Sequence, residues 1–218
     1  MGGFAMSCTT ENLFMPTRSD EFDIATTALA ADGWYVFSNL MSLAQTQALA
    51  SECLTLHNAQ LLTPARVGAD RDASLLRGDS TSWFLPEALS VAQQAFADRI
   101  EVLRIALSRN LLLGLVDSES HYAVYQPGIG YARHLDCLRN NNARVVSAVF
   151  YLNDAWQETE GGALRLYLAD QSHRDIYPHA GTLLLFLSAD FEHEVLPATR
   201  DRMSIACWMR QRMIGATC

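Results

Sequence analysis

The sequence contains no lysine, and all 16 of its basic residues are arginine. This absence excludes enzymes that form a Schiff base through a lysine amine, such as pyridoxal-dependent enzymes and aldolases. It also excludes the Walker phosphate loop, which requires a Gly-Lys pair. Acidic residues outnumber basic ones and give a net charge of −8, so we expect no broad basic face for a nucleic-acid backbone.

Cysteine is scarce, and long apolar runs are absent. The five cysteines are scattered and form no CxxC pair, so we expect free thiols in a reducing compartment rather than a structural zinc site or a redox dithiol. The N-terminal residues lack the basic and apolar segments of a signal peptide. Apolar runs such as Leu183–Leu187 are far too short to span a bilayer. These features predict a soluble, cytoplasmic protein.

The composition is that of a globular domain, and we expect a single one over residues 1–218. Half of the residues are apolar and 18% are charged, which allows a sizeable core. Residues 20–112 are predicted to form helical support. Within them we expect a short strand and three helices, with these bounds: strand Trp34–Phe37, helices from residue 20 to 31, from the N-cap Ser42 to about 59, and from Pro86-Glu87 to about 112.

A polar stretch, residues 61–84, separates the second and third predicted helices. It is rich in Asp and Arg and has no steady apolar period. We therefore predict a long mobile loop flanked by short strands. Loops of this length often act as lids or binding loops, so we expect this one to close over a bound substrate.

The second part of the chain, about residues 118–212, alternates short β-type runs with turn residues. The runs are HYAVYQ, ARVVSAVFYLN, ALRLYLA, TLLLFL, FEHEVL and MSIACWM. Six such runs indicate an antiparallel barrel or sandwich of the jelly-roll kind. Because helices come first and strands second, we predict an α+β fold in which the helices support one sheet.

One histidine–carboxylate pair is followed later in the chain by a histidine that could join it. His134 and Asp136 are two residues apart, so on a strand both side chains point to the same face. His193 lies in a later strand that could return beside the first. Two histidines and one carboxylate form the facial triad of non-haem iron(II) oxygenases, with zinc as the competing metal. A second H-x-D pair, His173 and Asp175, lies in a turn-rich stretch, and we expect it to be a surface pair.

A candidate anchor for an anionic cosubstrate follows His193. The strand after the turn PATRDR places Arg202, Ser204, Ala206 and Trp208 on one face. An arginine followed by two small residues can form a cavity with a fixed cation at one end, which suits a dicarboxylate. Arg200 is the other candidate, but it lies nearer the turn.

Together these segments resemble the iron(II)- and 2-oxoglutarate-dependent dioxygenases, specifically the prolyl hydroxylases related to the hypoxia-inducible-factor enzymes and their bacterial homologues. The matching segments keep their order and are RGDSTSWF (77–84), YQPGIGYARHLD (125–136), RVVSAVFYLNDAW (144–156), GGALRLY (161–167) and HEVLPATRDRMSIACW (193–208). The resemblance implies a double-stranded β-helix (jelly roll, cupin-like) with three N-terminal supporting helices.

The same resemblance implies an activity. The expected reaction is oxidative decarboxylation of 2-oxoglutarate to succinate, coupled to 4-hydroxylation of a prolyl residue in a protein. Fe(II), 2-oxoglutarate and O2 are the implied cofactors, with ascorbate as an additional one. The switch I loop of elongation factor Tu is the implied partner to test first, and neither a nucleic acid nor a membrane is expected.

Site roles carry over by position. His134, Asp136 and His193 are the implied iron ligands. Arg202 is the implied anchor of the 2-oxoglutarate C5 carboxylate, and Tyr151 is expected to hydrogen-bond the same carboxylate.

The remaining roles concern the cavity wall and the substrate. Tyr125 is expected near the iron and the C1 end of 2-oxoglutarate, and Leu164 in the cosubstrate pocket. Trp208, Arg77 and Asp79 are the expected substrate-binding residues.

Two departures and several alternatives remain open at this point. The turn YQPGIGY is one residue shorter than in the animal enzymes, and the lack of lysine separates the chain from the collagen-type branch, which anchors 2-oxoglutarate with lysine.

A 2-oxoglutarate oxygenase acting on a small molecule, such as a free amino acid, is the main alternative. A nucleic-acid demethylase is disfavoured by the acidity. A non-catalytic cupin sensor would keep the histidines without needing Arg202 and Tyr151.

Overall fold

The computed structural model describes residues 18–65, 77–137 and 143–212. Its helices are α1 (Arg18–Asp32), α2 (Leu43–Asn58) and α3 (Val91–Leu111), with a short 3₁₀ helix at Glu158–Glu160. None of the helices in these ranges is long and apolar enough to cross a membrane.

The predicted start of the third helix at Pro86-Glu87 is wrong. The helix begins at Val91, because Ser90 and Gln93 form a capping box in which each side chain accepts from the other residue's backbone N–H. A capping box satisfies the free N–H groups of the first turn and so marks the helix start. The predicted N-cap of α2, Ser42, forms the same arrangement with Gln45.

Eleven strands in these ranges form two antiparallel sheets. They are β1 (Trp34–Phe37), β2 (Thr63–Pro64), β3 (Ser80–Trp83), β4 (Leu115–Tyr125), β5 (Tyr131–His134), β6 (Arg144–Tyr151), β7 (Leu164–Tyr167), β8 (His173–Ile176), β9 (Leu183–Leu187), β10 (His193–Val195) and β11 (Arg202–Gln211). The large sheet has the order β1-β9-β6-β11-β4-β3-β2, and the small sheet has the order β5-β10-β7-β8. The α+β jelly-roll prediction is confirmed.

The two faces of the large sheet have different partners. Residues such as Tyr122 and Val124 of β4 and Ile205 of β11 pack in one apolar core with the three helices. Their neighbours Ala123 and Tyr125 line a cavity on the other side, between the two sheets. Because successive strand residues point to opposite faces, one face can bury apolar side chains while the other carries chemistry.

Short strands flank the predicted loop at 61–84, as expected, and the second H-x-D pair lies in a strand rather than a loop. In the stretch 61–84, β2 pairs with β3 and β3 pairs with β4, and Arg77 forms an isolated bridge with Tyr131 of β5. The central residues of the predicted lid, 66–76, lie outside the described residues. His173 and Asp175 belong to β8, which pairs with β7. In this stretch, backbone pairing with β7 overrides the turn-rich local sequence.

Candidate metal and cosubstrate site

The small sheet brings the two candidate histidines together. His193 of β10 lies directly opposite His134 of β5, and Asp136 follows two residues after His134. The ligand atoms of the three side chains all lie within 4.8 Å of one another. Asp136 Oδ1 is 3.6 Å from His134 Nε2, and Asp136 Oδ2 is 3.7 Å from His193 Nε2. Within the part of the chain that the structure describes, this is the one such group of His, Cys, Asp or Glu.

Backbone carbonyls orient both imidazole rings. His134 Nδ1 lies 2.8 Å from the Ala132 oxygen, and His193 Nδ1 lies 3.2 Å from the Phe191 oxygen. A carbonyl can only accept, so each Nδ1 carries the proton and each Nε2 keeps a free lone pair. Both lone pairs belong to nitrogens that face Asp136, which is the arrangement a metal ion requires.

The charge states of the cluster also suit a divalent metal. Burial by itself raises the pKa of Asp136, but the His134 imidazole, the His193 ring and the Ser147 hydroxyl outweigh it and hold this pKa well below its usual range. Burial lowers the pKa of His193 against the opposing charge of Asp136, which favours the neutral ring. An ionised carboxylate and neutral imidazoles are the forms that bind metal.

The second H-x-D pair does not join this cluster. Asp175 accepts two hydrogen bonds from Arg165, both at 2.8 Å, and His173 is exposed. His173 lies on the surface as expected, whereas Asp175 is partly buried and pairs with Arg165.

A cavity of about 250 Å³ separates the two sheets and reaches from the His-Asp-His cluster to Arg202. Arg202, the first residue of β11, is only 1% exposed. Its Nε donates to the Gly162 oxygen at 2.8 Å and its Nη1 donates to Ser204 Oγ at 3.3 Å. Its Nη2 is buried without a hydrogen-bond partner among the residues of the described ranges. A buried guanidinium with an unused donor is a site for an anion.

Two tyrosines flank this guanidinium. The ring centroids of Tyr125 and Tyr151 each lie 5.2 Å from Arg202 Cζ. The Tyr151 hydroxyl is buried and, in the described parts of the chain, has no hydrogen-bond partner. Burial raises the pKa of Tyr151 to about 12, against the opposing effect of Arg202, so this hydroxyl is a donor at neutral pH. Tyr125 and Leu164 both contribute to the cavity wall.

The three residues expected to bind substrate also line the cavity. Arg77 donates to both oxygens of Asp79, at 2.7 and 3.0 Å, and Asp79 is only 2% exposed. Burial opposes the charge of Arg77, but the hydrogen bonds and charge of Asp79 outweigh it and raise the Arg77 pKa. This pair is therefore a buried ion pair at the junction of the two sheets, not part of a solvated loop as its polar sequence suggests.

The cavity wall also contains residues that the sequence did not indicate. Tyr131 stacks on His134 with ring centroids 3.7 Å apart, and Arg144 lies 3.7 Å above the Trp208 ring. His121 contacts Trp83 and Trp208, at centroid distances of 4.7 and 5.4 Å. His121 and Tyr125 are four residues apart in β4 and so lie on the same face of the sheet. This spacing could have indicated His121 as a cavity residue. Stacking between separate strands has no signal in the sequence.

The donor set and the buried cation fit the groups suggested by the sequence. Two imidazole nitrogens and one carboxylate oxygen on one side of a cavity match the facial set of non-haem iron(II), which leaves positions open for other ligands. The unused donors of Arg202 and Tyr151 match a carboxylate at the far end. A jelly roll that holds both in one cavity defines the class of non-haem iron oxygenases that use an oxo-acid cosubstrate.

Comparison with known proteins agrees with this class. Residues 120–210 match the family model of the 2OG-Fe(II) oxygenase superfamily. The chain is similar to Egl nine homolog 1 of Rattus norvegicus, with 28% identity over 173 residues, covering 74% of this chain and 50% of that protein. It thus spans half the length of this curated relative, and 40% of the Homo sapiens protein of the same name.

Solved structures narrow the class to a family. The chain is similar to a Pseudomonas putida prolyl-4-hydroxylase, with a TM-score of 0.81 and 39% identity, covering 88% of this chain and 99% of that one. A prolyl hydroxylase in complex with a hypoxia inducible factor oxygen degradation domain peptide fragment from Trichoplax adhaerens has a TM-score of 0.76 at 24% identity, covering 87% and 89%, and shows the shared fold. The chain belongs to the 2OG-Fe(II) prolyl hydroxylase family.

Gly162 supports Arg202 in a way that the sequence does not reveal. Its φ of +71° favours glycine, and a Cβ added there would lie 2.9 Å from Trp156 Cζ2 and 3.4 Å from Arg202 Cδ. We expect Gly162→Ala to clash with Trp156 and to shift the Gly162 carbonyl that accepts from Arg202 Nε. The KM for 2-oxoglutarate should then rise about tenfold, since such sites tolerate little displacement. Steady-state 2-oxoglutarate turnover measures this KM.

Gly114→Ala is the matched control for backbone strain. Gly114 also has a positive φ, +62°, but an added Cβ would meet no described atom within 4 Å. Both variants should lose some thermal stability, whereas only Gly162→Ala should change the KM. Equal KM values for the two variants would contradict the proposed support of Arg202 by the Gly162 carbonyl.

Proposed function

We propose that the protein is an Fe(II)- and 2-oxoglutarate-dependent dioxygenase that 4-hydroxylates a prolyl residue in a protein substrate. The observation that carries this proposal is a single cavity with the His134, Asp136 and His193 cluster at one position and the buried Arg202 guanidinium at another. Membership of the prolyl hydroxylase family supports it. A non-catalytic cupin sensor would need the first feature but not the second.

In this proposal His134, Asp136 and His193 hold Fe(II) through two Nε2 atoms and one carboxylate oxygen. Iron, when bound, supplies the chemistry by which O2 decarboxylates 2-oxoglutarate and hydroxylates a C–H bond. The protein holds the ligands in one protonation state, because carbonyl oxygens fix both Nδ1 protons. It also leaves part of the metal's coordination sphere open to the cavity.

Arg202 is proposed to bind the C5 carboxylate of 2-oxoglutarate. Gly162 and Ser204 fix the guanidinium, and the free Nη2 is available for the carboxylate. The Tyr151 hydroxyl is proposed as a second donor to the same group. Tyr125 and Leu164 form walls of the cavity and exclude water from the cosubstrate.

The entrance supports a polypeptide substrate. Trp83 is 46% exposed and lies 6.2 Å, centroid to centroid, from the buried Trp208 ring, so aromatic surface runs from the outside into the cavity. Leu135, half-exposed beside His134, is also part of the cavity wall. Apolar and aromatic surfaces of this kind suit a proline ring and its flanking residues. Trp208, Arg77 and Asp79 are the proposed substrate contacts.

The test is turnover of 2-oxoglutarate by the Fe(II)-loaded protein with three candidate substrates. These are elongation factor Tu, a peptide spanning its switch I loop, and free L-proline. We expect the protein or peptide to stimulate turnover at least tenfold and to gain the mass of one oxygen atom on proline. A peptide with alanine in place of that proline is the control.

The other results are equally informative. Hydroxylation of free proline alone would favour the small-molecule oxygenase, and hydroxylation of a different proline-containing protein would replace elongation factor Tu as the partner. Ascorbate as a cofactor and a cytoplasmic location stay predictions. The effect of ascorbate on sustained turnover tests the first of them.

A further inference from the structure

Two buried serine hydroxyls stand behind the carboxylate of Asp136. Ser147 belongs to β6 of the large sheet and is 1% exposed, and Ser188, directly after β9, is fully buried. Ser147 Oγ lies 2.7 Å from Asp136 Oδ2, and the two serine oxygens lie 2.8 Å apart. The proposed function gives neither serine a role.

The chemistry of the three groups fixes the direction of these hydrogen bonds. A ligating carboxylate is ionised and can only accept, so the Ser147 hydroxyl donates its single proton to Asp136. The Ser147 oxygen then has only acceptor capacity towards Ser188, which must be the donor at 2.8 Å. The result is a chain of two hydroxyl donors that ends on one carboxylate oxygen. Hydrogen bonds to a charged acceptor are the strong kind.

Asp136 depends on this support more than the two histidines do. His134 and His193 lie on paired strands of the small sheet, and each ring is held by a backbone carbonyl. Asp136 lies in a bend beyond the end of β5, where no strand pairing holds it. Ser147 ties this carboxylate to the opposite sheet, so the position of the third ligand is set across the cavity.

We propose that Ser147, held in turn by Ser188, is a positioning residue that fixes the Asp136 carboxylate for metal binding. Ser147 occupies one lone pair of Oδ2 and stops the carboxylate from rotating. This inference rests on the proposed metal site and adds to it a device that spans both sheets. Hydrogen-bonding partners of metal ligands generally contribute 10- to 100-fold to metal affinity or activity.

The test is binding of Mn(II), followed by electron paramagnetic resonance of the free and bound ion, in the full chain without substrate. We expect Ser147→Ala to weaken Mn(II) binding about 10- to 100-fold. Ser188→Ala should weaken it less, because Ser147 can still donate to Asp136. Ser147→Thr keeps the hydroxyl and should restore most of the affinity.

Ser204→Ala is the matched control. Ser204 is also a buried hydroxyl on the cavity side of the large sheet, but its partner is Arg202 rather than Asp136. Its removal should leave Mn(II) binding within twofold of the wild type. Thermal melting of the metal-free variants separates a loss of affinity from a loss of folded protein.

Three results would overturn the inference. They are a Ser147→Ala protein that binds Mn(II) as tightly as the wild type, a Ser204→Ala protein that is equally weakened, and a Ser147→Thr protein no better than Ser147→Ala. Failure of the metal site itself would look different. Wild-type protein would then not bind Mn(II), or His193→Ala would bind it equally well, and the serine role would fall together with the proposed site.

Discussion

Replacing His193 by alanine is expected to abolish metal binding and to reduce 2-oxoglutarate turnover by more than about 1,000-fold. Bound iron is expected to lower the activation barrier by several kcal/mol. A loss of about 4 kcal/mol already corresponds to a 1,000-fold lower rate. His193 lies between β5 and β7 and is buried, so its Nε2 cannot be replaced by another side chain from the same strand.

The fold should survive this change. The strand pairing of β10 uses backbone groups, and the ring of His193 packs at 4.8 Å against Phe186, a contact whose loss leaves a modest cavity. Mn(II) binding, turnover and thermal melting should be measured together. We expect melting to change far less than the first two.

His173→Ala is the control for this prediction. His173 belongs to the other H-x-D pair, is exposed and lies on the same small sheet. It should retain wild-type metal binding and turnover. Wild-type turnover by a His134→Ala, Asp136→Ala double variant would rule out the proposed metal ligands.

Replacing Arg202 by alanine should raise the 2-oxoglutarate requirement strongly while leaving metal affinity nearly unchanged. Truncating one partner of a buried, hydrogen-bonded charge pair costs about 2–5 kcal/mol, which corresponds to roughly 30- to 4,000-fold. The guanidinium is held by Gly162 and Ser204 and keeps a free donor. The other arginines of the cavity wall, Arg77 and Arg144, are paired with carboxylates and should not replace it. The KM for 2-oxoglutarate is the primary measurement.

A thermal-shift measurement tests the same residue without turnover. Ligand that binds only the folded state raises the melting temperature, so 2-oxoglutarate should stabilise metal-loaded wild-type protein and not Arg202→Ala. Arg200→Ala is the matched control, because Arg200 is partly exposed, stacks 4.4 Å from Trp156 and pairs with Glu160. If Arg200→Ala had the larger effect, Arg200 rather than Arg202 would be the cosubstrate anchor.

The sequence by itself determined the class of fold and proposed the residues of the candidate site. The alternation of Arg202, Ser204 and Ala206 follows from the period of two that a strand imposes, so these residues had to share a face. The same period was expected to place Asp136 beside His134, but β5 ends at His134 and Asp136 lies in the bend that follows. The later position of His193 in a β-type run completed the set. Residue order and strand period are local properties, and they can be found without knowing which strands pair.

Only the tertiary structure decided which residues hold the site in place. The Gly162 carbonyl that orients Arg202 lies 40 residues before it in the sequence, and the Ser147 hydroxyl on Asp136 comes from the other sheet. The Arg77–Asp79 pair is local in sequence, but its burial depends on the pairing of β3 with β4 and on the bridge from Arg77 to β5. The start of α3 at Val91 was decided by a capping box rather than by Pro86. The mobile lid predicted at 61–84, of which residues 66–76 lie outside the described ranges, and the single-domain extent stay predictions. Contacts across two sheets leave no periodic trace in the chain, because each depends on a register that the tertiary structure sets.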